Sequence, residues 1–240
     1  MIPPSDSRIA LVHALDESVR PAQEAFARLW PEAWCFDLLD TSLSADRAQA
    51  AGNLAAINGR IAVLADYARD SAGVGGRTAG ILFTCSAFGD AIDATKRGSP
   101  IPILRPNEAA FSAALELGAR FLIVVSFEPS AAVLEQELRA MADDKGSAVS
   151  VDCVVARGAL DALRAGDGAS HDGLVAEAVR AHCGSPDAIL LGQFSMARAR
   201  ATVEASVGGL PVITTPDSAV RELRRLVAAK ANPKQEQGNG

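Results

Sequence analysis

Short apolar runs alternate along this chain with longer amphipathic stretches. This alternation is typical of βαβ units, in which crossover helices join parallel strands. The apolar runs predict strands at residues 8–13, 34–39, 80–84, 101–104, 120–125, 148–154, 188–192 and 211–214. The amphipathic stretches predict helices at residues 18–29, 46–69, 88–96, 108–117, 130–143, 172–183, 195–206 and 218–229. The sequence therefore predicts an α/β fold with a largely parallel sheet.

Part of this pattern occurs twice. When residues 80–88 are aligned with residues 188–196, Cys85 falls on Gln193, and a helix and a proline-bounded strand follow each segment. The matching residues are few and apolar, so chance similarity between two βα units is the alternative to a duplication. A closed barrel is also compatible with strands that are each followed by a helix, but the repeated order favours two halves.

The repeat predicts how the chain is organised. We expect two similar doubly wound parallel-sheet halves related by a pseudo-twofold axis, residues 1–105 and 106–229, with the last helix and strand free to exchange between them. Open α/β sheets bind ligands at the carboxyl ends of their strands, so the halves would share a crevice there. Residues 230–240 are polar without apolar periodicity, which predicts a disordered tail.

Charge and cysteine spacing exclude several kinds of protein. The 23 Lys and Arg residues are outnumbered by 29 Asp and Glu residues, which gives a net charge of −6 and no basic surface for phosphates. No apolar run approaches the roughly 20 residues of a membrane span, and the first residues lack a signal-peptide pattern. We therefore expect a cytoplasmic protein without nucleic-acid or membrane partners. The four cysteines show neither CxxC spacing nor a nearby His partner, so we expect no metal site and no disulfide framework, and no P-loop occurs.

Cys85 is the sharpest chemical feature of the sequence. It lies where a predicted strand turns into a helix, and the small residues Ser86 and Ala87 follow it. Backbone N–H groups and the positive end of a helix at such a turn lower a thiol pKa and favour the thiolate. The alternative is a buried core cysteine, the common fate of a free thiol. The remaining cysteines are predicted to be structural: Cys35, Cys153 and Cys183.

Hydroxyl side chains lie at the ends of several predicted strands. They belong to Thr84, Ser86, Ser126 and Thr214. Together with backbone N–H groups, these hydroxyls could bind a carboxylate. Serine and threonine are also ordinary helix N-caps, and this second interpretation stays open for each of them.

Histidine and asparagine supply further candidates. His13 ends the first predicted strand and Asp16 follows in a loop, so either could supply a general base or bind a ligand. A histidine at a strand end is as often a satisfied structural residue. Asn107 follows the fourth predicted strand and is compatible with a ligand contact or with an N-cap. His171 and His182 fall in a loop and on an outer helix, where we expect solvent exposure.

At these residues the chain resembles the aspartate/glutamate racemase superfamily, which includes hydantoin racemases, maleate isomerases and arylmalonate decarboxylases. That family has two similar α/β halves, and each half contributes a cysteine to a shared cleft. The first cysteine lies in a strand-end turn like Phe83-Thr84-Cys85-Ser86. The second lies in a Leu-Gly-Cys turn, which here reads Leu191-Gly192-Gln193-Phe194. The resemblance covers about residues 8–226 and implies a cofactor-independent enzyme with Cys85 and Gln193 at its site.

Gln193 departs from the family pattern. A two-base racemase needs a titratable group on each face of the α-carbon, and an amide cannot serve at neutral pH. The family's decarboxylases have a single cysteine, although in the second half. A single cysteine can protonate one face of a carbanion or enediolate, or add to an unsaturated or carbonyl carbon as a nucleophile. Gln193 would then orient the substrate or donate to an oxyanion, whereas His13 or Asp16 as a second base would restore racemisation.

We therefore expect a cysteine-dependent isomerase, racemase-like or decarboxylase-like enzyme that acts on a small carboxylate, with Cys85 and Gln193 as catalytic residues. The expected substrate-binding residues are His13, Thr84, Ser86, Asn107, Ser126, Phe194 and Thr214. The alternative is a non-catalytic module that binds small carboxylates. An arylsulfatase is disfavoured, because the sulfatase pattern needs Pro and Arg where this chain has Ala87 and Gly89. A homodimer is the expected assembly.

Overall fold

The computed structural model of the protein describes residues 7–50, 54–182 and 184–231. The chain divides into two compact units. The first comprises residues up to Pro106 together with those from Ala219 onward, and the second is Asn107–Ser218. The division thus falls beside the predicted boundary at residue 105. Residues 219–229 belong to the first unit, an exchange of the last helix that the predicted division allows.

The secondary structure alternates between strands and helices as the sequence predicts. The strands are β1 (Ser7–His13), β2 (Ala33–Leu39), β3 (Ala72–Gly73), β4 (Gly76–Phe83), β5 (Ile103–Leu104), β6 (Arg120–Val125), β7 (Ser150–Val155), β8 (Ala188–Leu191) and β9 (Val212–Thr214). The helices are α1 (Val19–Leu29), α2 (Ser42–Gln49), α3 (Ala55–Asp70), α4 (Gly89–Lys96), α5 (Glu108–Leu115), α6 (Ser130–Asp144), α7 (Ala159–Arg164), α8 (Gly168–Arg180), α9 (Arg200–Glu204) and α10 (Thr215–Ala231). Turns of 3₁₀ helix lie at Asp16–Ser18, Ser86–Phe88 and Phe194–Ala199.

The first unit is built on parallel strands in the order β2-β1-β4-β5, and the short β3 pairs antiparallel with β4. Residues 9–12 of β1 are apolar and buried, because helices cover the sheet on both faces. On one face Ala10 and Val12 pack with apolar residues of α3 and α4. On the other face α10 approaches Gly80 so closely that a Cβ there would lie 3.0 Å from Leu223 Cδ1.

The second unit repeats this arrangement with parallel strands in the order β7-β6-β8-β9. Alternate residues of β6 point to opposite faces. Leu122 and Val124 pack with residues of α8, whereas Phe121 and Ile123 pack with residues of α5 and α6. Because the strand order of the two sheets is the same, β4 corresponds to β8, as the alignment of Cys85 with Gln193 predicts. The predicted fold of two doubly wound parallel-sheet halves is confirmed.

Some predicted elements differ from the structure. The single helix predicted at residues 46–69 is wrong, since α2 ends at Gln49 and α3 begins at Ala55. Gly52 and Asn53, both poor helix formers, lie between them in sequence. The helix predicted at residues 195–206 is divided into a 3₁₀ turn and α9, and α7 was not predicted. In the predicted tail, Lys230 and Ala231 belong to α10, and residues 232–240 lie outside the described residues.

None of the helices within the described ranges has both the length and the apolar character required to cross a membrane.

Candidate active site

Cys85 lies directly after β4, at the carboxyl end of the first sheet. Its backbone is extended (φ −118°, ψ 120°), and the 3₁₀ turn Ser86–Phe88 follows. The side chain is half-buried. The N–H group of Ala87 donates a hydrogen bond to the sulfur, and the hydroxyl of Ser44 is within hydrogen-bonding reach. The strand-end turn therefore presents the thiol to donors, as its position in the sequence predicts.

The predicted lowering of the Cys85 pKa is wrong. Burial raises the pKa of this thiol, and its effect outweighs the Ala87 hydrogen bond, the charge of Arg47 and the Ser44 contact, which all lower it. Removal of water destabilises a thiolate more than one N–H group and one nearby cation stabilise it. Near neutral pH the Cys85 side chain is consequently a neutral thiol.

Arg47 was missed by the sequence analysis. Its guanidinium lies 5.6 Å from the centre of the Phe88 ring, and its charge acts on Cys85. No ion pair joins Arg47 to a carboxylate within the described part of the chain. Ser44 and Arg47 are three residues apart on α2, so they share one face of that helix. This pairing could have been found from the sequence, but the helix was predicted to begin at residue 46, which left Ser44 outside it.

The α2 helix is held in place by Arg60, which projects from α3. The guanidinium of Arg60 donates to Asp46 Oδ2 at 2.6 Å and also binds Asp40 and Ser42. Ser44 in turn donates to the carbonyl of Ala14 at 3.1 Å. These contacts fix the helix that carries Arg47.

His13 is the centre of a buried polar network beside the Cys85 turn. Its Nδ1 atom is 2.9 Å from Thr84 Oγ1 and 3.2 Å from Ser18 Oγ, and its Nε2 atom is 3.0 Å from Asp37 Oδ1. Gln23 donates to the other oxygen of Asp37 at 2.7 Å. The hydrogen bonds from His13 and Gln23 hold the pKa of Asp37 below its usual range, so Asp37 is ionised and Nε2 donates to it.

This network changes the interpretation of the predicted ligand contacts. The His13 side chain has 0% exposure and both of its ring nitrogens are engaged, so it offers no free atom to a ligand. The hydroxyl of Thr84 is likewise buried and directed towards His13. Ser86 is half-buried and Asp16 is exposed. In the structure His13 and Thr84 are therefore supporting residues behind the turn.

In the second unit Gln193 occupies the position that corresponds to Cys85. Its Oε1 atom accepts hydrogen bonds from the backbone N–H of Ser126 at 2.7 Å and from the Ser126 hydroxyl at 2.9 Å. A backbone N–H can only donate, so the oxygen of the amide must face Ser126. The amide –NH₂ then points the other way, and it has no acceptor among the residues that the structure describes.

Gly192 makes this position of Gln193 possible. A Cβ atom at residue 192 would lie 2.8 Å from Leu134 Cδ1 and 3.2 Å from the carbonyl oxygen of Val124. The N–H of Gly192 donates to that same carbonyl at 2.9 Å. The Leu-Gly turn is thus pressed against β6, which brings Gln193 to Ser126.

Besides His171 Nε2, buried polar atoms of the second unit without partners in the described part of the chain include Asn107 Nδ2, Thr214 Oγ1 and Thr215 Oγ1. Asn107 precedes α5 but its side chain does not cap the helix. Such atoms are rare in folded proteins, so they are candidates for hydrogen bonds to a bound ligand. The predicted contact Phe194, by contrast, is buried to 2% exposure.

The model of the Asp/Glu/hydantoin racemase family matches residues 9–223. The chain belongs to this family. The predicted resemblance is confirmed, and so is the classification as an enzyme of a racemase family. No curated protein matches the sequence significantly.

Solved structures of the racemase family and its relatives share the fold. Allantoin racemase from Pseudomonas fluorescens is 19% identical with a TM-score of 0.66, and the match covers 92% of this chain and 91% of that one. Glutamate racemase from Francisella tularensis in complex with D-glutamate is 13% identical with a TM-score of 0.67, covering 94% and 82%. A liganded double mutant of arylmalonate decarboxylase is 17% identical with a TM-score of 0.60, covering 92% of each chain. At these identities the likeness establishes the fold alone.

The other sequence candidates lie away from these strand ends or differ from expectation. His171 is not exposed as predicted, because its ring has 0% exposure and its Nδ1 atom binds the carbonyl of Ala159 at 2.9 Å. His182 is also not fully exposed, since it lies 3.4 Å from Asp152. Burial raises the pKa of Cys35 to about 12 and that of Cys153 to about 11, which suits structural thiols. Cys183 lies outside the described residues.

Among residues 7–50, 54–182 and 184–231, no group of three or more His, Cys, Asp or Glu side chains could hold a metal ion.

Proposed function

We propose that this racemase-family chain is a cofactor-independent, cysteine-dependent isomerase or lyase that acts on a small carboxylate. The observation that carries the proposal is the environment of Cys85. A neutral thiol lies at a strand-end turn, with the Ala87 N–H on its sulfur, and close by lies Arg47, which has no ion-pair partner among the described residues. Membership of a family of racemases supports an enzyme over a binding protein.

Arg47 selects an anionic substrate. A guanidinium binds a carboxylate through charge-assisted hydrogen bonds, which are about twice as strong as those between neutral groups. Arg47 lies against Phe88, and no carboxylate of the described chain occupies it, so its donors are available. A carboxylate bound there would place the adjacent carbon of a small substrate near the Cys85 sulfur.

The neutral state of Cys85 favours a proton donor over a nucleophile. A general acid acts in its protonated form, and burial keeps this thiol protonated. In a decarboxylation, the bond to the leaving carboxylate breaks, CO₂ departs, and its electron pair stays on the α-carbon. The thiol then gives its proton to that carbon, and the resulting thiolate takes a proton from water. In an isomerisation, the thiol must first give its proton to water. The thiolate then removes a proton from carbon and returns it to a different carbon after the double bond has moved.

Gln193 serves as a hydrogen-bond donor. Ser126 fixes its oxygen, so the outward –NH₂ is oriented before the substrate binds. An amide donor stabilises the negative charge that develops on a substrate oxygen in an enolate or enediolate. Because an amide cannot remove a proton at neutral pH, Gln193 does not replace the family's second cysteine as a base, and two-base racemisation is not expected.

The test is alkylation of Cys85 by iodoacetamide, read by peptide mass spectrometry, in the presence of a panel of small mono- and dicarboxylates. One or more carboxylates should protect Cys85, and Arg47→Gln should abolish that protection. Cys35 and Cys153 in the same digest are internal controls, because no ligand should change their rates. If every carboxylate leaves the Cys85 rate unchanged, the proposed substrate class is wrong.

A non-catalytic binding module is the second candidate. The raised pKa of Cys85 is compatible with it, because a binding site needs no activated thiolate. Protection without any turnover of the protecting carboxylate would favour this candidate. Turnover that Cys85→Ala abolishes would favour the enzyme.

A further inference from the structure

We propose that His13, oriented by Asp37, is a positioning residue for the Cys85 turn, which it reaches through the hydroxyl of Thr84. The inference rests on the proposed role of Cys85. Neither the family match nor the proposed chemistry gives the buried polar network around His13 a role.

Thr84 immediately precedes Cys85, so whatever fixes the backbone at Thr84 fixes the start of the Cys85 turn. The Thr84 N–H donates to the carbonyl of Val12 at 3.0 Å, which continues the pairing of β4 with β1 for one more residue. The side chain adds contacts with His13 and Ser18, both at 2.9 Å. Thr84 is therefore held to β1 and to the turn after it by backbone and side chain together.

The His13 ring is itself held by Asp37. Asp37 accepts from Nε2 at 3.0 Å and lies on β2, whereas His13 ends β1 and Thr84 follows β4. The network thus crosses three adjacent strands at their carboxyl ends. Asp37 is half-exposed and is itself anchored by Gln23 from α1 at 2.7 Å. A carboxylate at the surface consequently sets the orientation of a fully buried ring.

The ionised Asp37 sets the direction of the hydrogen bonds around His13. Nε2 donates to the ionised Asp37, so in the neutral ring Nδ1 is an acceptor. The Ser18 hydroxyl donates to the carbonyl of Leu15 at 2.7 Å. The contacts of the Thr84 hydroxyl with Nδ1 and with Ser18 Oγ, both at 2.9 Å, therefore share its one proton, for which the Val12 carbonyl at 3.4 Å is a third acceptor. His13 and Ser18 thus hold the Thr84 hydroxyl between them. Loss of Asp37 would release the ring, and loss of the ring would release Thr84.

The effect on Cys85 follows from the groups around its sulfur. The turn that begins at Thr84 carries the sulfur, and burial is the largest influence on its titration. A looser turn admits water to the sulfur, so the thiolate becomes easier to form. If His13 only stabilised the core, its replacement would lower the melting temperature without changing the titration of Cys85 in the folded protein.

The experiment is the pH profile of Cys85 alkylation in the full chain, without ligand and well below the melting temperature. Thr84→Val keeps the shape of the side chain and removes the hydroxyl, and Thr84→Ser restores it. Thr84→Val should alkylate about fivefold faster than wild type on the acidic limb, which corresponds to an apparent pKa lower by about 0.7. Thr84→Ser should return to the wild-type profile. Asp37→Asn, at a half-exposed position, should shift the profile in the same direction as Thr84→Val.

His13→Asn should match Thr84→Val, and His171→Asn is the control, because it also replaces a fully buried histidine. Cys35 in the same sheet reports general opening of the first unit in the Thr84 and His13 variants. The proposal is overturned if Thr84→Val and Asp37→Asn melt at lower temperature while the Cys85 profile stays that of wild type. It is also overturned if Cys35 accelerates as much as Cys85. These outcomes are independent of turnover, so a Cys85→Ala variant that stays active would refute the proposed function and leave this result intact.

Discussion

Replacement of Gly192 by alanine tests the turn that carries Gln193. The new Cβ would lie 2.8 Å from Leu134 Cδ1, closer than ordinary Cβ contacts, and 3.2 Å from Ile123 Cγ2 and from the Val124 carbonyl. Leu134 is fully buried and the carbonyl belongs to β6, so neither can move away freely. Overpacking of this kind costs about 2 kcal/mol. For a chain of this length, that corresponds to a fall of about 4–8 °C in melting temperature.

The assay is thermal unfolding of Gly192→Ala against wild type, with Gly173→Ala as the matched control. Gly173 lies in α8 of the same unit, and a Cβ there would meet nothing within 4 Å. The control should be more stable than wild type by about 0.5–1 kcal/mol, because alanine is the better helix former. If Gly192→Ala melts at or above the wild-type temperature, the close approach of the turn to β6 is wrong, and so is the fixed position of Gln193.

Three further changes have defined outcomes. Arg47→Gln should raise the apparent pKa of Cys85 further and slow its alkylation, because the Arg47 charge lowers that pKa; an unchanged pH profile would remove Arg47 from the site. Ser126→Ala leaves the backbone N–H bond to Gln193 and removes the hydroxyl bond, so ligand affinity measured by calorimetry should fall by about 1 kcal/mol; no change would mean that Gln193 needs no orientation. Arg120 and the adjacent N–H groups lower the pKa of Asp187 to about 2, so its contribution to stability is present above its unfolded pKa of about 3.9 and is lost as the pH falls towards 2. Asp187→Asn should therefore melt lower than wild type near neutral pH, with a difference that shrinks below about pH 3; a difference that is constant with pH would refute this.

The fold could be predicted from the sequence because the patterns that indicate its strands and helices are local. Residues 9–12 and 121–125 are uninterrupted apolar runs, which suit strands covered on both faces by helices. The repeat of strand, turn and proline-bounded strand was sufficient to align Cys85 with Gln193. The break between α2 and α3 was missed, since the apolar periodicity alone does not show where a helix stops.

The site was harder to predict from the sequence because its properties depend on contacts between residues that are distant in the chain. Ser126 and Gln193 were both predicted, but their hydrogen bonds join residues 67 positions apart. The pKa of Cys85 was predicted in the wrong direction, because a strand-end turn reveals its N–H donors and not its burial. His171 was wrongly expected in solvent because the local sequence does not reveal burial either, and it is the fold that places this residue in the core.

The central claim is that Cys85 alone moves the proton. Its most direct test is turnover of a protecting carboxylate in D₂O, followed by ¹H NMR, with wild type, Cys85→Ala and the control Cys35→Ala. Wild type and Cys35→Ala should place deuterium on one carbon with a single configuration, and Cys85→Ala should be slower by about 100-fold or more. Full turnover by Cys85→Ala, or deuterium entering both enantiomers at equal rates, would contradict the account.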